Sequence, residues 1–128
     1  MPETREHIGR ARQNLAFARS FDLKNTPYLD WVVTAYFYAA LHLVDALLWE
    51  KDKLPGGLHE QRKAYLRSKW YLRGIKDEYR ELKDQSEDAR YRLITVTSSK
   101  IESRIIPLYE NIEKHILPQI PKDKGGTG

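Results

Sequence analysis

The feature that most constrains the fold is one long apolar segment, Trp31 to Trp49. A helix that is apolar nearly all round must be covered on most sides, so it belongs in the centre of a bundle or in a membrane. The segment approaches membrane-spanning length, but Thr34, His42 and Asp45 interrupt it, and it is a single run. We therefore expect the central helix of a soluble bundle and no membrane partner.

The remaining chain also has a helical pattern, because apolar residues recur at intervals of three and four almost throughout. The β-branched run at residues 93–97 has no second strand to pair with, so we expect a connector there. The pattern predicts an all-α fold, a five-helix up-and-down bundle. The expected helices are a first through residues 8–18, a second over 27–51, a third over 58–70, a fourth over 75–93 and a last from residue 99.

Local signals refine these helix ends. Thr26 before Pro27 is a typical N-cap arrangement for the second helix. Ser99 followed by Glu102 is a capping-box pattern for the last helix, and Pro107 is expected to bend or divide that helix. We expect a single domain over residues 1–117. Residues 118–128 contain two prolines and three glycines, which predicts a flexible C-terminal tail.

Composition excludes several classes of protein. With 128 residues, 41% hydrophobic and 31% charged, the chain is long enough for one globular core. It has no cysteine, which excludes disulfides and thiolate chemistry and is compatible with a cytoplasmic location. The first twenty residues lack an apolar core segment, so we expect no signal peptide. The formal net charge of +4 permits an anionic partner without requiring one.

Four residues of the second helix form the first candidate site. Tyr38, His42, Asp45 and Trp49 follow one another at intervals of four, three and four, so they share one helix face. His42 and Asp45 could hydrogen-bond and serve as a base or a ligand. The alternative is structural, because buried polar groups are usually paired with neighbouring elements.

The histidine spacing gives no support for a metal cofactor. His7, His59 and His115 do not combine with His42 into an HExxH-like pattern, and the pair on the second helix offers too few ligands alone. We therefore expect neither a zinc nor a di-iron site, and no other cofactor.

A basic segment with aromatic residues forms the second candidate site. Cations neutralise phosphates and aromatic rings stack on bases, so such a segment is a reasonable nucleic-acid surface. The alternative is a solvated helix face, whose charges the acidic residues at 77–88 could neutralise. The segment contains the cations Arg62, Lys63, Arg67, Lys69, Arg73 and Lys76 and the aromatic residues Tyr65, Trp70 and Tyr71.

The third candidate is the triplet Arg90, Tyr91 and Arg92. Two arginines beside a tyrosine could hold a phosphate. They could equally interact with the carbonyl groups at a helix C-terminus, which cations stabilise.

Two segments resemble the small prokaryotic HEPN-domain proteins. In the signature helix of that family a tyrosine–alanine pair precedes a histidine and an alanine-leucine-leucine end, as in Tyr36 to Leu48 here. Ser86 to Tyr91 is similar to the family's arginine- and tyrosine-containing segment ahead of the final helix. The order of elements agrees across residues 5–117. The resemblance implies a helical up-and-down bundle, commonly a homodimer, associated with nucleotide or RNA binding and with toxin–antitoxin, defence or stress systems.

Catalytic members of that family are metal-independent ribonucleases that use an arginine followed, four to six residues later, by a histidine. No histidine stands at that distance after Arg90 or Arg92, and ten residues separate Arg104 from His115. The catalytic residues of the family therefore cannot be carried over to this chain. His42, with Asp45, and the Arg90–Tyr91 segment remain transferable.

These observations lead to a first hypothesis, a non-catalytic HEPN-like module that binds RNA, a nucleotide or a protein partner. A second hypothesis is a divergent metal-independent ribonuclease with His42, His59 and Arg62 as candidate catalytic residues. A third is a purely structural, dimeric interaction protein. The candidate ligand-binding residues of the first hypothesis are His42, Asp45, Arg62, Arg67, Trp70, Arg73, Arg90 and Tyr91.

Overall fold

The computed structural model describes residues 2–128, which are helical and contain no strand. Five helices make up the fold, as the apolar periodicity predicts. Three short 3₁₀ turns, Arg73–Ile75, Leu117–Gln119 and Lys122–Lys124, connect or follow them. The helices are α1 (Thr4–Arg19), α2 (Leu29–Asp52), α3 (His59–Ser68), α4 (Lys76–Tyr91) and α5 (98–116).

Helix α2 lies at the centre of the bundle. It packs against α1, α4 and α5, and most of its side chains are buried. Among the described residues it is the one helix long and apolar enough to span a bilayer, but its burial is that of the core helix of a soluble protein. The central position follows from its sequence, because an element that is apolar all round gains most free energy where every face meets another element.

The start of α2 differs from the sequence prediction. The helix begins at Leu29, two residues after the expected start at Pro27. Thr26 accepts a hydrogen bond from the Tyr28 N–H over 3.1 Å, so its hydroxyl closes the turn before the helix and does not cap the helix itself. The helix ends at Asp52, because its C-cap residue Lys53 has a left-handed φ of 54° that terminates the α-helical hydrogen-bond pattern.

The last helix has a different N-cap from the predicted one, and Pro107 does not divide it. Its N-cap is Thr97, whose hydroxyl accepts the Lys100 N–H over 3.1 Å, in place of the expected capping box at Ser99. Pro107 does not break α5, because a π-helical turn at Ile101–Ile105 precedes it and α-helix resumes at Ile106–Ile116. The wider turn accommodates a ring that would crowd a carbonyl one turn earlier in a regular helix.

The C-terminal segment, residues 118–128, lies against α1 and α2, whereas its composition predicts a flexible tail. Ile120 is completely buried in the core. Arg12 donates to the Gly125 carbonyl over 2.6 Å, and Lys124 pairs with Glu50 over 3.0 Å. A single apolar anchor among prolines and glycines carries no periodic signal, which is why the packing is invisible in the sequence.

Candidate functional site

The face of α2 that carries His42 and Asp45 is held by three different partners. Asp45 forms a buried ion pair with Arg62 of α3, in which the guanidinium donates to both carboxylate oxygens over 2.8 Å. The two residues are only 2% and 9% exposed. Such a two-point charge-assisted contact fixes α3 against α2 and satisfies both buried charges. The sequence prediction placed Arg62 on a nucleic-acid surface; its guanidinium is instead bound to Asp45.

The turn after α2 encloses this ion pair. Gly56 lies so close to Asp45 that a Cβ atom at this position would stand 2.1 Å from the carboxylate oxygen Oδ1. Only a residue without a side chain allows the turn to pass there. The Pro-Gly-Gly stop signal of the sequence therefore has a second role as the cover of a buried carboxylate.

His42 meets His7 of α1, and their Nδ1 atoms are 3.2 Å apart. Burial and the neighbouring His7 lower the pKa of His42 to about 4. Burial, only partly offset by the negative charge of Asp45, also lowers the pKa of His7. Both imidazoles are therefore neutral near pH 7, and one ring donates its Nδ1 proton to the other.

Tyr38, the first residue of this α2 face, contacts Arg90 of α4. The guanidinium donates to the Tyr38 hydroxyl over 3.1 Å and also lies against the rings of Tyr38 and Tyr91. Tyr91 is 73% exposed. Arg90 thus links α4 to α2, while Tyr91 covers it from the solvent side. Of the predicted site residues, Asp45 and Arg62 are in direct contact with each other, and so are Arg90 and Tyr91.

A basic cleft of about 190 Å³ lies between α3 and α4. Its cations come one or two turns apart on each helix, so they line up along the two walls. Leu66 and Tyr79 add apolar surface. The cleft is lined by the cations Lys63, Arg67, Lys76, Arg80 and Lys83, by His59 and by the two acids Glu60 and Asp84.

Three of the cleft cations, Lys63, Arg67 and Lys76, take part in no ion pair within residues 2–128. The other two, Arg80 and Lys83, pair with Asp77 and Glu87 along their own helix. Further acids of α4 also bind elsewhere: Glu81 pairs with Arg104 of α5, and Asp88 with Arg92. The sequence left open that the acidic residues at 77–88 neutralise the basic segment. In the structure, most of these acids that form ion pairs bind cations of α4 or α5, so the cations on the α3 wall of the cleft keep their positive charge largely unneutralised.

The Tyr79 side chain lies between the cleft and the buried ion pair. The residue lines the cleft, yet its hydroxyl is buried and has no hydrogen-bond partner in the described part of the chain. Burial raises the pKa of Tyr79, and Arg62 and Asp45 both act on it electrostatically. Tyr79 therefore stays protonated, and its hydroxyl is buried behind the ring that lines the cleft.

The end of the basic segment lies outside the cleft lining. Trp70 is 70% exposed with Lys51 near its ring, and Arg73 is exposed in the turn before α4. Lys69 pairs with Asp52 over 3.1 Å, and the buried Tyr71 donates to the same carboxylate over 2.6 Å. The basic segment thus divides into an interior residue, a cleft wall and a lysine that pairs with the last residue of α2.

Sequence reasoning missed His7, Tyr79, Arg80 and Lys83. The last two had a signal, since Lys76, Arg80 and Lys83 follow helical spacing just as His59, Lys63 and Arg67 do. His7 had none, because its meeting with His42 depends on how α1 packs along α2.

Comparison with protein-family models, with curated proteins and with solved structures finds no match for this chain.

Proposed function

We propose that this protein is a non-catalytic, HEPN-like helical module that binds a phosphate-bearing ligand, RNA or a nucleotide, in the cleft between α3 and α4. The observation that supports this most is the cleft itself, with five cations against two acids. Lys63, Arg67 and Lys76 are free to contact phosphates without first giving up a protein partner.

The cleft has features that favour phosphate over a plain solvated surface. Cations on two facing helices converge on one space, which concentrates positive potential more than the same charges on a convex face. Arg67 and Arg80 have planar guanidinium groups suited to phosphate oxygens, whereas the lysines act as point charges.

A non-catalytic role is favoured because two of the candidate catalytic residues are already bound to other side chains. Arg62 is bound to Asp45, and the half-buried His42 is hydrogen-bonded to His7. The arginine-to-histidine motif of the catalytic HEPN proteins is missing from the sequence. By the same resemblance we propose a cytoplasmic protein of a toxin–antitoxin, defence or stress system; finding the protein exported from its cell would contradict this placement.

Fluorescence anisotropy with a labelled single-stranded RNA, measured across a salt series, tests the binding. We expect affinity to fall steeply as salt rises, and each lost phosphate contact to reduce the logarithmic slope by about 0.7. Lys63→Ala and Arg67→Ala should each weaken binding several-fold. Lys24→Ala, which removes an exposed cation far along the chain from the cleft, is the matched control.

The binding proposal fails if RNA and nucleotides do not bind at low salt. It also fails if Lys24→Ala weakens binding as much as the cleft variants do, because the attraction would then come from the overall positive charge.

A second candidate function, ribonuclease activity, has one supporting observation. His59 lines the cleft, and partial burial and the nearby Arg62 lower its pKa, so it is neutral and able to accept a proton near pH 7. Incubation of the purified protein with labelled RNA distinguishes the two functions. The binding proposal expects intact RNA, whereas cleavage that disappears in His59→Ala would replace it with the ribonuclease.

We also propose that the protein is a homodimer. An exposed aromatic cluster at the α1–α2 connection supports this: Phe17 and Tyr28 pack against Phe21, Trp31 follows Tyr28 by three residues, and Phe17, Tyr28 and Trp31 are each about half exposed. Light scattering after size-exclusion chromatography should give twice the mass of one chain, and Trp31→Glu should give the single mass. A monomeric parent protein would end this part of the proposal.

A further inference from the structure

A cluster of metal-ligating groups lies between α1 and α2, and it includes Asp45, the partner of Arg62. His7, His42 and Asp45 each offer one ligand atom, and these atoms all lie within 4.8 Å of one another. His42 and Asp45 are one turn apart on α2, and α1 brings His7 to them. The cluster plays no part in the phosphate-binding proposal, so the two stand independently.

The spacing of the two imidazoles suits a tetrahedral metal ion. Two nitrogens that bind Zn²⁺ at about 2.0–2.1 Å with tetrahedral angles lie ~3.4 Å apart. The Nδ1 atoms of His7 and His42 are 3.2 Å apart. The spacing of the two nitrogens is therefore within a few tenths of an ångström of that in a zinc site, and the Asp45 carboxylate, which lies within 4.8 Å of both, moves closer to complete it.

The protonation states need little change on binding. A hydrogen bond between the two Nδ1 atoms needs one protonated and one unprotonated nitrogen, so a single proton lies between the rings. When the proton between the rings moves to the Nε2 atom of its own ring, both Nδ1 lone pairs become free without net proton loss. Imidazole is also the side chain that zinc-class ions most often use in proteins.

Asp45 retains room for a cation beside Arg62. Each carboxylate oxygen accepts one hydrogen bond from the guanidinium with one lone pair, and its second lone pair remains available. Arg62 and Arg10 both act on His42 with positive charge, which opposes a divalent ion and limits the affinity. Arg62 at the same time holds the carboxylate in place, as a second partner of a metal ligand commonly does.

We propose that His7, His42 and Asp45 form a binding site for a divalent transition-metal ion of the zinc class, with its fourth position open to water. Bound there, the ion ties α1 to α2 at a point where neutral imidazoles are otherwise joined by a single hydrogen bond.

Isothermal titration of the full chain with Zn²⁺, and absorption spectroscopy with Co²⁺ as a probe of tetrahedral coordination, test the site. We expect saturable binding of one ion per chain and a rise in the midpoint of thermal unfolding with Zn²⁺. His7→Ala should weaken Zn²⁺ binding at least tenfold and abolish the thermal shift. His59→Ala, which removes a histidine that is not part of the cluster, should retain both.

His7 is half-buried at the surface of α1, so His7→Ala is expected to fold, which its circular dichroism spectrum would verify. If it does not fold, His42→Gln provides the same comparison. The proposal is overturned if Zn²⁺ does not bind with a Kd below about 1 mM. It is equally overturned if the folded variant of the cluster binds Zn²⁺ as tightly as His59→Ala does.

Discussion

Arg62 and Lys63 are neighbours in the sequence, yet they belong to two regions with opposite electrostatics. Arg62 turns inward to a buried carboxylate and donates to both of its oxygens from Nε and one terminal nitrogen. Lys63 turns toward the cleft between α3 and α4 and has no ion-pair partner among residues 2–128. Arg62 therefore stabilises the fold, and Lys63 is free to contact a ligand.

The difference follows from helix geometry. Successive residues on a helix point about 100° apart, so a run of cations cannot share one environment. A charge that faces the central helix must be paired, because an unpaired buried charge costs several kcal/mol. A charge on the outer side is solvated at no such cost, and it stays available for binding.

The largest expected effect comes from breaking the buried pair. Asp45→Asn leaves the Arg62 guanidinium buried without its counter-charge, and we expect the free energy of unfolding to fall by about 3–5 kcal/mol. Urea denaturation monitored by circular dichroism measures it. The double variant Asp45→Leu with Arg62→Leu should be more stable than Asp45→Asn, since it leaves no buried charge. A loss below about 1 kcal/mol in Asp45→Asn would show that water reaches the pair.

The next effect concerns the cover of this pair. Gly56→Ala places a methyl group on the Asp45 carboxylate, which Arg62 holds in position, so we expect a loss of about 3 kcal/mol, at the upper part of the usual range for overpacking. Gly9→Ala is the matched control, because a Cβ at that exposed α1 position meets nothing within 4 Å. The control should gain about 0.5–1 kcal/mol. Equal effects of the two changes would contradict the enclosure of Asp45.

A smaller effect is expected from pH. The pKa of His42 is lowered to about 4 in the folded protein, so below the ordinary histidine pKa the unfolded chain binds a proton that the folded chain does not. The stability that His42 contributes is complete above that ordinary value and declines as the pH falls toward 4. Between pH 7.5 and pH 4.5 the loss should be about 2 kcal/mol.

Urea denaturation at these two pH values, with wild type beside His42→Gln, isolates this contribution. The variant should lose less stability on acidification than the wild type does. An identical pH dependence of the two proteins would mean that His42 is not held in its neutral form.

The smallest expected effect lies on the cleft side of the comparison. Lys63→Ala should change the free energy of unfolding by less than about 0.5 kcal/mol, because the lysine is solvated and has no ion-pair partner. The same variant is expected to weaken RNA binding. A stability loss as large as that of Asp45→Asn would mean that Lys63 stabilises the fold as Arg62 does, and the two regions would then not differ.

Local patterns were sufficient to predict the helices and the central place of α2. Apolar spacing is a property of neighbouring residues, so it appears in the sequence before any packing is known. The helix ends were predicted less well. The roles of Thr26 and Thr97 depend on which hydroxyl reaches a free backbone N–H, and several nearby side chains could accept such a bond. The π turn before Pro107 likewise depends on how α5 packs.

For the candidate site, the sequence identified the residues but not their partners. It predicted that His42 and Asp45 share a face of α2, and the structure retains that face. It could not predict that Asp45 takes Arg62 out of the basic segment, or that His7 arrives from α1. Both contacts join residues distant in the chain.

The sequence by itself determined an all-helical chain whose most apolar helix must be buried, because covering apolar surface depends on pattern alone. The tertiary structure decided which charges of that chain are satisfied and which remain free. An ion pair forms only when the two charged groups come within about 4 Å, and those distances are set by how helices pack. Arg62 and Lys63, adjacent in sequence, received different roles for that reason.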